Sequence, residues 1–277
     1  MSHYADTCYH HSFNLGFVGM SYQIDTVADF AFSLSEANNF NDCFRLLRDA
    51  VQKMGFDGVL YMSIPVGLIQ HKKKKPLTIF QASSTYNPTF LEHYAQENFA
   101  ENDYTIKTTA AGKMDLIDWW SIAHNGRLDK EELNVFTVAR EEYNLRNGLS
   151  VPMLSTPHEI SGGSVVCCDN DKAYAQLIKN NSNRVQALIR LFHYRVHADI
   201  ECKKVFINPL LNELNDKERM LLKFIASGKP LKVIDKYYDI SPGYAKNMLA
   251  TVCAKLGTDN VQELRYLLGI YQIIELV

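Results

Sequence analysis

The residues best suited to chemistry form an aromatic cluster between positions 86 and 120, which holds both tryptophans of the chain together with Asp103. Aromatic walls with a few placed polar groups suit a pocket for a mostly apolar small molecule. A carboxylate among aromatic rings is destabilised by desolvation unless it meets a donor, and a ligand amide N–H would be one. The candidate ligand-binding residues are Tyr86, Phe90, Tyr94, Asp103, Tyr104, Trp119, Trp120 and Ser164.

The same cluster has a purely structural interpretation. The aromatic rings would then belong to the hydrophobic core, and Asp103 would be the N-cap of the helix that follows it. Residue types and spacing leave both interpretations open, because a core and a pocket wall use similar side chains.

Two other groups of residues contain nucleophiles or metal ligands. Cys167 or Cys168 with His158 could supply a nucleophile and a base, but adjacent strand residues point to opposite faces. A cysteine and two histidines within residues 8–11 could chelate a metal, but no second ligand cluster matches them. The six cysteines include no C-x-x-C pair, which favours reduced thiols over a zinc site. We therefore predict neither an enzyme nor a metal site.

Composition predicts two domains that do not enter a membrane. A chain of 277 residues with 47% hydrophobic residues and a net charge of −2 exceeds the usual size of one domain. No apolar run approaches the roughly 20 residues that span a bilayer, and no signal-peptide pattern opens the chain. We expect a cytoplasmic protein. The run Lys72–Lys75 predicts a solvated loop, with contact to phosphates or anionic lipid as the alternative.

The first two hundred residues alternate between helical and extended patterns. Two pairs of strands separated by helices predict a central antiparallel sheet with helices on both faces. The fold class is therefore α+β: an N-terminal α/β/α sandwich followed by a C-terminal all-α helix-turn-helix domain. The predicted strands are Phe56–Ile64, Leu77–Ala82, Gly148–Leu154 and Gly162–Cys168, and the predicted helices are 27–36, 41–53, 88–98, 103–111, 129–143 and a long one from Lys172 to about Cys202.

The segment Phe206–Pro209 breaks helical periodicity, so we interpret it as the linker between domains. The predicted division is an N-terminal tail at 1–25, a ligand-sensing domain at 26–207 and a DNA-binding domain at 208–277.

Residues 214–257 contain the signals of three short helices. Asn215 with Glu218 forms a capping box, and Gly228 ends that helix. A second helix begins near Pro230, with an apolar face of Val233, Ile234, Tyr237 and Tyr238. The third has Ser241 as N-cap and Pro242 as its first residue. It directs Ala245, Met248 or Leu249, Val252 and Leu256 inward, and Tyr244, Lys246, Asn247, Thr251 and Lys255 outward.

Two helices joined by a tight turn, the second presenting polar and cationic side chains, fit a recognition helix in the major groove. Charge supports this only modestly, since residues 208–277 carry nine basic and eight acidic side chains. A small helical bundle with a solvated lysine face is the alternative.

The segment resembles the DNA-binding domain of LuxR-type transcription factors. Leu214–Glu218 aligns with the family motif Leu-Thr-x-Arg-Glu, and Ala226–Pro230 aligns with Ala-x-Gly-Lys-Ser. Ile240–Thr251 aligns with the recognition helix of the family, and Lys255-Leu256-Gly257 comes after it. Tyr244, Ala245, Met248 and Thr251 depart from the family's threonine, valine, histidine and asparagine. The resemblance implies DNA contacts from Tyr244, Lys246, Asn247, Thr251, Lys255, Lys229 and Lys232.

The resemblance extends to the aromatic cluster. Tyr86–Tyr94, Asn98-Phe99 and Asp103-Tyr104 are similar to the autoinducer-binding motif Tyr-Pro-x-x-Trp-x-x-x-Tyr, Asn-Tyr, Asp-Pro with the same spacing. By position, the family's contacts to the lactone carbonyl, the acyl carbonyl and the amide N–H of an acyl-homoserine lactone fall on Phe90, Tyr94 and Asp103. Gly148 matches a family glycine at a strand start.

Two departures bear on the ligand, of which one is Tyr104 in place of the family's proline. Phe90 replaces a tryptophan and so removes the N–H that would hold a lactone carbonyl, a loss of about 1–3 kcal/mol. Tyr94 and Asp103 are retained, so an acylated amide is the expected ligand class, with no other cofactor.

We therefore expect a ligand-responsive transcriptional regulator that binds operator half-sites as a homodimer. The rival interpretation is an interaction protein that has lost operator binding and acts as a heterodimer partner of a related regulator.

Overall fold

The computed structural model describes residues 26–64, 79–156 and 159–273. One antiparallel sheet has the strand order β2-β1-β5-β4-β3. Helices cover both of its faces and a helical domain follows, so the predicted α+β fold is confirmed. The strands are β1 (Gly58–Ile64), β2 (Ile79–Ala82), β3 (Ile117–Asp118), β4 (Asn147–Ser155) and β5 (Ile160–Cys167).

Among the described residues, eight α-helices lie between Val27 and Leu211, and three more follow them. The first group is α1 (Val27–Ser35), α2 (Phe40–Lys53), α3 (Pro88–Gln96), α4 (Tyr104–Ala110), α5 (Trp119–His124), α6 (Lys130–Tyr143), α7 (Asp171–Ala198) and α8 (Ile200–Leu211). The second group is α9 (Asp216–Ala226), α10 (Pro242–Leu256) and α11 (Val261–Ile270), with a 3-10 helix at Leu231–Lys236.

Side chains alternate across the sheet and so serve two separate cores. In β1, Val59 and Tyr61 pack with α1, α2 and α7, whereas Leu60 and Met62 pack with the aromatic residues of α3 to α6. This alternation follows from the two-residue period of a strand. It places one core behind the sheet and the aromatic cluster in front of it.

The connection to the C-terminal domain differs from the prediction. Phe206–Pro209 lies inside α8, so the predicted helix break there is wrong. The chain instead leaves the helical path at Asp199, where the backbone is extended. The Asp199 carboxylate accepts hydrogen bonds from the N–H groups of Glu201 and Cys202 and so caps α8.

Tertiary packing explains why α8 does not end before Pro209. Phe206 is buried in the core behind the sheet, and Ile207 is buried in the C-terminal core. Burial of both side chains stabilises the helix by more free energy than the loss of one backbone hydrogen bond at the proline costs. The predicted domain boundary after Ile207 stays a prediction, and it falls within a continuous helix.

The C-terminal helices begin and end at the predicted signals. Asn215 forms the capping box with Glu218, Gly228 has a φ of +75°, and Ser241 caps α10 at Pro242. On α10, Met248 and not Leu249 completes the buried face.

The second helix differs from the prediction. It is a 3-10 helix that ends at Lys236, and Ile234 within it is fully buried. Tyr237 follows the helix as its C-cap with a φ of −117°, so the chain has left the predicted α-helical path there and the side chain is 56% exposed. Its ring instead lies against Phe224, with the Lys229 ammonium 5.0 Å from the ring centroid.

Residues 8–11, the run Lys72–Lys75 and His158 lie outside the described residues. Within the described part, no helix is long and apolar enough to cross a bilayer. The same residues contain no group of three side chains that could hold a metal ion.

Candidate ligand pocket and nucleic-acid interface

An apolar cavity lies between the sheet and helices α3 to α6. Its empty volume is about 700 Å³, including the part open to solvent. Strands β1, β4 and β5 form its floor, and the aromatic residues of α3, α5 and α6 form its wall. The lining includes Leu60, Met62, Tyr86, Phe90, Tyr94, Asp103, Trp119, Phe136, Ser150, Gly162 and Ser164.

Six of the eight predicted ligand-binding residues line this cavity, and two do not. The six are Tyr86, Phe90, Tyr94, Asp103, Trp119 and Ser164. Tyr104 packs beside the same core without reaching the cavity. Trp120 points elsewhere, because its indole N–H donates to the Arg146 carbonyl and its ring lies under the Arg140 guanidinium.

Helix α3 holds the central aromatic pair. Asn87 caps its first turn and Pro88 fixes its first residue, so the helix starts at a defined point. Phe90 and Tyr94 are both buried on one face, with ring centroids 5.9 Å apart in an edge-on arrangement. The Phe90 ring also meets Tyr143 at 5.2 Å. The hydrocarbon wall of the cavity is therefore fixed by mutual ring contacts.

Asp103 is a helix cap and also lines the cavity. Its Oδ1 accepts from the Thr105 N–H at 2.7 Å and caps α4, as the structural interpretation required. Its Oδ2 accepts from the Tyr94 hydroxyl at 2.8 Å at the cavity wall. Burial, and then the Asp103 charge, raise the pKa of Tyr94 well above its ordinary value. The tyrosine therefore stays protonated and keeps its donor on the carboxylate.

The Tyr86 hydroxyl is a buried polar atom at the cavity with no hydrogen-bond partner among the described residues. Burial is the main cause that raises its pKa, and the nearby Asp103 charge adds to the effect. A buried, unpaired hydroxyl costs about 1–3 kcal/mol, so a ligand acceptor placed here would stabilise the complex.

Trp119 closes another side of the cavity through a short polar chain. Its indole N–H donates to Ser150 Oγ at 2.8 Å, and Ser150 Oγ lies 2.7 Å from Ser164 Oγ. Ser150 and Ser164 are direct partners in the β4–β5 register. The sequence analysis missed Ser150, although small polar residues at matching positions of two neighbouring strands are the signal that would have found it.

Gly148 is needed for this arrangement. A Cβ atom at this position would come within 2.5 Å of the Trp119 ring. The indole therefore lies directly on the β4 backbone, which accounts for a glycine at the strand start.

The exposed face of α10 presents the predicted DNA-contacting side chains. Tyr244, Lys246, Asn247 and Thr251 are all exposed, and Lys232 is exposed on the preceding 3-10 helix. Lys229 is half-buried over the Tyr237 ring.

Lys255 is placed differently from its predicted outward position. Its ammonium lies 2.7 Å from the Glu218 carboxylate, which is buried, and 3.0 Å from the Glu213 carbonyl oxygen. Burial raises the pKa of Glu218, but the hydrogen bonds from Lys255 and the Asn215 N–H outweigh it, and the net pKa is lowered. This lysine therefore joins α10 to the start of α9.

Lys217 is a cation that the sequence analysis did not select. It lines the same groove as Tyr244, Asn247 and Thr251, at the first turn of α9. The position of Lys217 beside these residues depends on the packing of α9 against α10. The sequence offered one signal, which is a lysine in the first helical turn after the N-cap Asn215.

The thiols of β5 lack the properties of a nucleophile. Burial raises the pKa of Cys167, and burial with the Asp57 charge raises that of Cys168 to about 11. Since the thiolate is the reactive form, both side chains are held in the unreactive state near neutral pH.

Comparisons with known proteins agree with this geometry. The family model of the autoinducer binding domain matches residues 39–196, more than half of the 277 residues, and this span contains every cavity residue named above. Proteins of this family are signal receptors and not enzymes. No curated protein sequence matches the chain.

Two solved structures share the fold over nearly the full length. SdiA of Escherichia coli aligns with 14% identity and a TM-score of 0.52 over 90% of this chain and 97% of its own. SdiA in complex with octanoyl-rac-glycerol aligns with 15% identity and a TM-score of 0.53 over 90% and 95%. The likeness covers the sheet domain and the C-terminal helices together. The chain belongs to the autoinducer-binding-domain family of LuxR-type quorum-sensing regulators.

Proposed function

We propose that this protein is a DNA-binding transcriptional regulator whose signal is a small molecule with an acyl chain and an amide head group. The observation that carries the proposal is an apolar cavity whose wall combines the Tyr94–Asp103 pair with the unpartnered Tyr86 hydroxyl. The rings match an acyl chain. The carboxylate can accept an amide N–H, and the free hydroxyl can donate to a carbonyl oxygen.

The proposed head group follows from the absence of a hydrogen-bond donor on Phe90. A phenyl ring cannot donate to a lactone carbonyl, and an unmet buried acceptor costs about 1–3 kcal/mol. A ligand whose polar group ends at the amide avoids this loss. SdiA has been solved with octanoyl-rac-glycerol, so an acyl ester of glycerol is the second candidate.

The proposed mechanism is a population shift. A ligand that fills the cavity supplies core that the unliganded sensor lacks, and it favours a homodimer that places two copies of α10 on adjacent operator half-sites. Helices α7 and α11 are the proposed dimer surfaces. Such a regulator acts in the cytoplasm, where its operator is accessible.

The proposed DNA contacts are the exposed polar side chains of α10 with two flanking lysines. Lys229 and Lys255, which the family resemblance also implied, already hold positions inside the domain. Because α10 has no arginine, sequence preference would depend on Asn247 and on DNA shape. The proposed set is Tyr244, Lys246, Asn247, Thr251, Lys232 and Lys217.

Calorimetry with N-octanoyl-homoserine lactone and 1-octanoyl-glycerol tests the pocket. Asp103→Asn keeps the helix-capping oxygen but removes the charge, so we expect affinity for the bound probe to fall by about tenfold or more. Lys246→Ala should leave that affinity unchanged. Equal losses from both variants would contradict the proposed separation of the two sites.

The alternative function is an interaction protein without operator binding, acting through heterodimers with a related regulator. The observation in its favour is the weak charge of residues 208–277, with Lys255 held by Glu218. Gel-shift assays over a series of salt concentrations separate the two. A regulator shows a shift that weakens as salt rises, and an interaction protein shows no shift even at low salt.

A further inference from the structure

A second polar cluster lies on the opposite face of the sheet from the ligand cavity. The Tyr61 hydroxyl of β1 lies 2.7 Å from His193 Nδ1 and 3.0 Å from His197 Nε2, both on α7. His197 Nδ1 lies 3.4 Å from the Glu159 carboxylate, which also accepts from the Ser63 hydroxyl at 2.7 Å. We name these five residues the junction cluster. Tyr61 and His193 are buried, and the side chains of His197 and Glu159 are 14% and 15% exposed.

The chemistry of the junction cluster fixes the positions of its protons. An ionised Glu159 only accepts, so His197 carries its hydrogen on Nδ1 and leaves Nε2 as an acceptor. Tyr61 then donates to His197 Nε2, and its oxygen accepts from His193 Nδ1–H, which Ser161 Oγ also faces at 3.3 Å and can share as an acceptor. Every contact is satisfied with both imidazoles neutral. A further proton on His197 would place two donors between Tyr61 and His197 and would break this order.

The junction cluster lies where the sensor meets the C-terminal domain. Ser63, Glu159 and His197 line a cavity together with Ile207, which belongs to the C-terminal core, and Tyr271, which follows α11. The cavity has an empty volume of about 260 Å³. The junction cluster therefore borders the contact between the two domains.

The same strand connects the junction cluster to the ligand cavity. Tyr61 and Ser63 alternate along β1 with Leu60 and Met62, and the latter two line the cavity on the other face. A displacement of β1 caused by contacts on one face therefore also moves the side chains on the other face.

We propose that the junction cluster is a proton-sensitive latch. With both imidazoles neutral it holds α8 and the C-terminal domain against the sheet, and a proton taken up at His197 releases them. This goes beyond ligand-controlled DNA binding, because it makes the contact between the domains respond to pH without a ligand.

The charges around the junction cluster support this direction. The pKa of His197 is lowered from 6.5 to about 4 and that of His193 to about 3. Burial is the main cause of both shifts, the His197 charge adds to the shift of His193, and the Lys203 charge contributes to both. The ionisable groups that face the cluster from the described elements are Tyr61, Glu159, His193, Tyr194, His197, Lys203 and Tyr271.

The sign follows from linkage. The closed junction depresses the pKa of His197, so it has its full stability above about pH 6.5 and loses stability as pH falls toward about 4. If opening returns His197 to its ordinary pKa, the equilibrium shifts toward the open form by up to about 30-fold at about pH 5. Burial raises the pKa of Glu159, so protonation of this carboxylate as pH falls acts in the opposite sense.

Hydrogen–deuterium exchange on the full chain tests the latch without ligand or DNA, so its outcome is independent of the proposed signal and operator. After correction for intrinsic rates, amides of α8 and of residues 267–273 should lose protection between about pH 7 and pH 5, while amides of β4 keep theirs. Unchanged protection in α8 over this range would overturn the proposal.

Matched variants identify the group responsible. His197→Gln should make α8 protection independent of pH, whereas His124→Gln, which removes an exposed histidine on α5, should respond like the wild type. Glu159→Gln removes the opposing carboxylate and retains an acceptor, so its loss of protection at about pH 5 should equal or exceed that of the wild type. This variant serves as the test if His197→Gln fails to fold, and a pH-independent α8 in Glu159→Gln would refute the latch.

Discussion

At the residue scale, single side chains serve both the fold and the cavity wall. Asp103 caps α4 with one oxygen and accepts from the Tyr94 hydroxyl with the other, so its structural role does not exclude the proposed ligand contact. Phe90 shows the converse case, because it retains the ring that packs the wall and lacks the donor that would bind a lactone. Ligand preference can therefore change at one side chain while the cavity keeps its shape.

Phe90→Trp should restore a donor toward a lactone carbonyl. We expect affinity for N-octanoyl-homoserine lactone to rise by about tenfold, the effect of one buried hydrogen bond, while affinity for 1-octanoyl-glycerol stays the same or falls. Calorimetry with both probes checks this. A gain that is equal for both probes would mean that the larger ring only improves packing.

Gly148→Ala should destabilise the sensor by about 1–3 kcal/mol, because the new Cβ would overlap the Trp119 ring. Urea unfolding followed by tryptophan fluorescence measures the loss. Gly243→Ala on α10 is the matched control, since a Cβ there meets no atom within 4 Å and alanine favours the helix. Similar losses in both variants would argue against a specific contact at Gly148.

At the element scale, β1 connects the two sites. It presents cavity residues on one face and junction-cluster residues on the other, as Met62 and Ser63 do. The capped turn at Asp199 lets α8 continue from the sensor core into the C-terminal core without a flexible linker. Rigid elements with two packed faces are well suited to transmit a small displacement.

The two lysines of α10 should separate stability from DNA binding. Lys255→Gln leaves the buried Glu218 without its cation, so we expect a loss of about 3 kcal/mol in the stability of the C-terminal domain. Lys246→Ala, at an exposed position, should change stability by less than about 0.5 kcal/mol and weaken duplex binding in a salt-dependent manner. Denaturation followed by circular dichroism measures the stability of each variant, and gel shifts measure its DNA binding. A stable Lys255→Gln protein with weakened DNA binding would reverse the assignment.

At the scale of the whole molecule, one chain holds an apolar cavity, the junction cluster on the other face of the same sheet, and a C-terminal helical domain. Mass action predicts that a ligand bound in the cavity stabilises the sensor.

A ligand at 100 times its Kd should raise the free energy of unfolding of the sensor by about 2.7 kcal/mol. Because Trp119 lines the cavity, its fluorescence reports both binding and unfolding. In Asp103→Asn the same ligand concentration should give a smaller gain. A gain that survives this change would place the ligand outside the cavity.

The sequence by itself determined the α+β class, the strand pairs, the capped C-terminal helices and the aromatic pocket wall. These features depend on local signals such as Asn215 with Glu218, or on side-chain spacing such as Phe90 with Tyr94. Such signals are present in a short segment before the chain folds.

Only the tertiary structure decided which side chains meet across elements. Ser150 lies beside Ser164 because two strands pair, Lys255 is bound because α9 packs on α10, and Phe206 is helical because two cores bury α8. The junction cluster brings together residues more than 90 positions apart along the chain. Contacts of this kind leave no periodic pattern, because they arise from packing between elements and not from the residues of any single one.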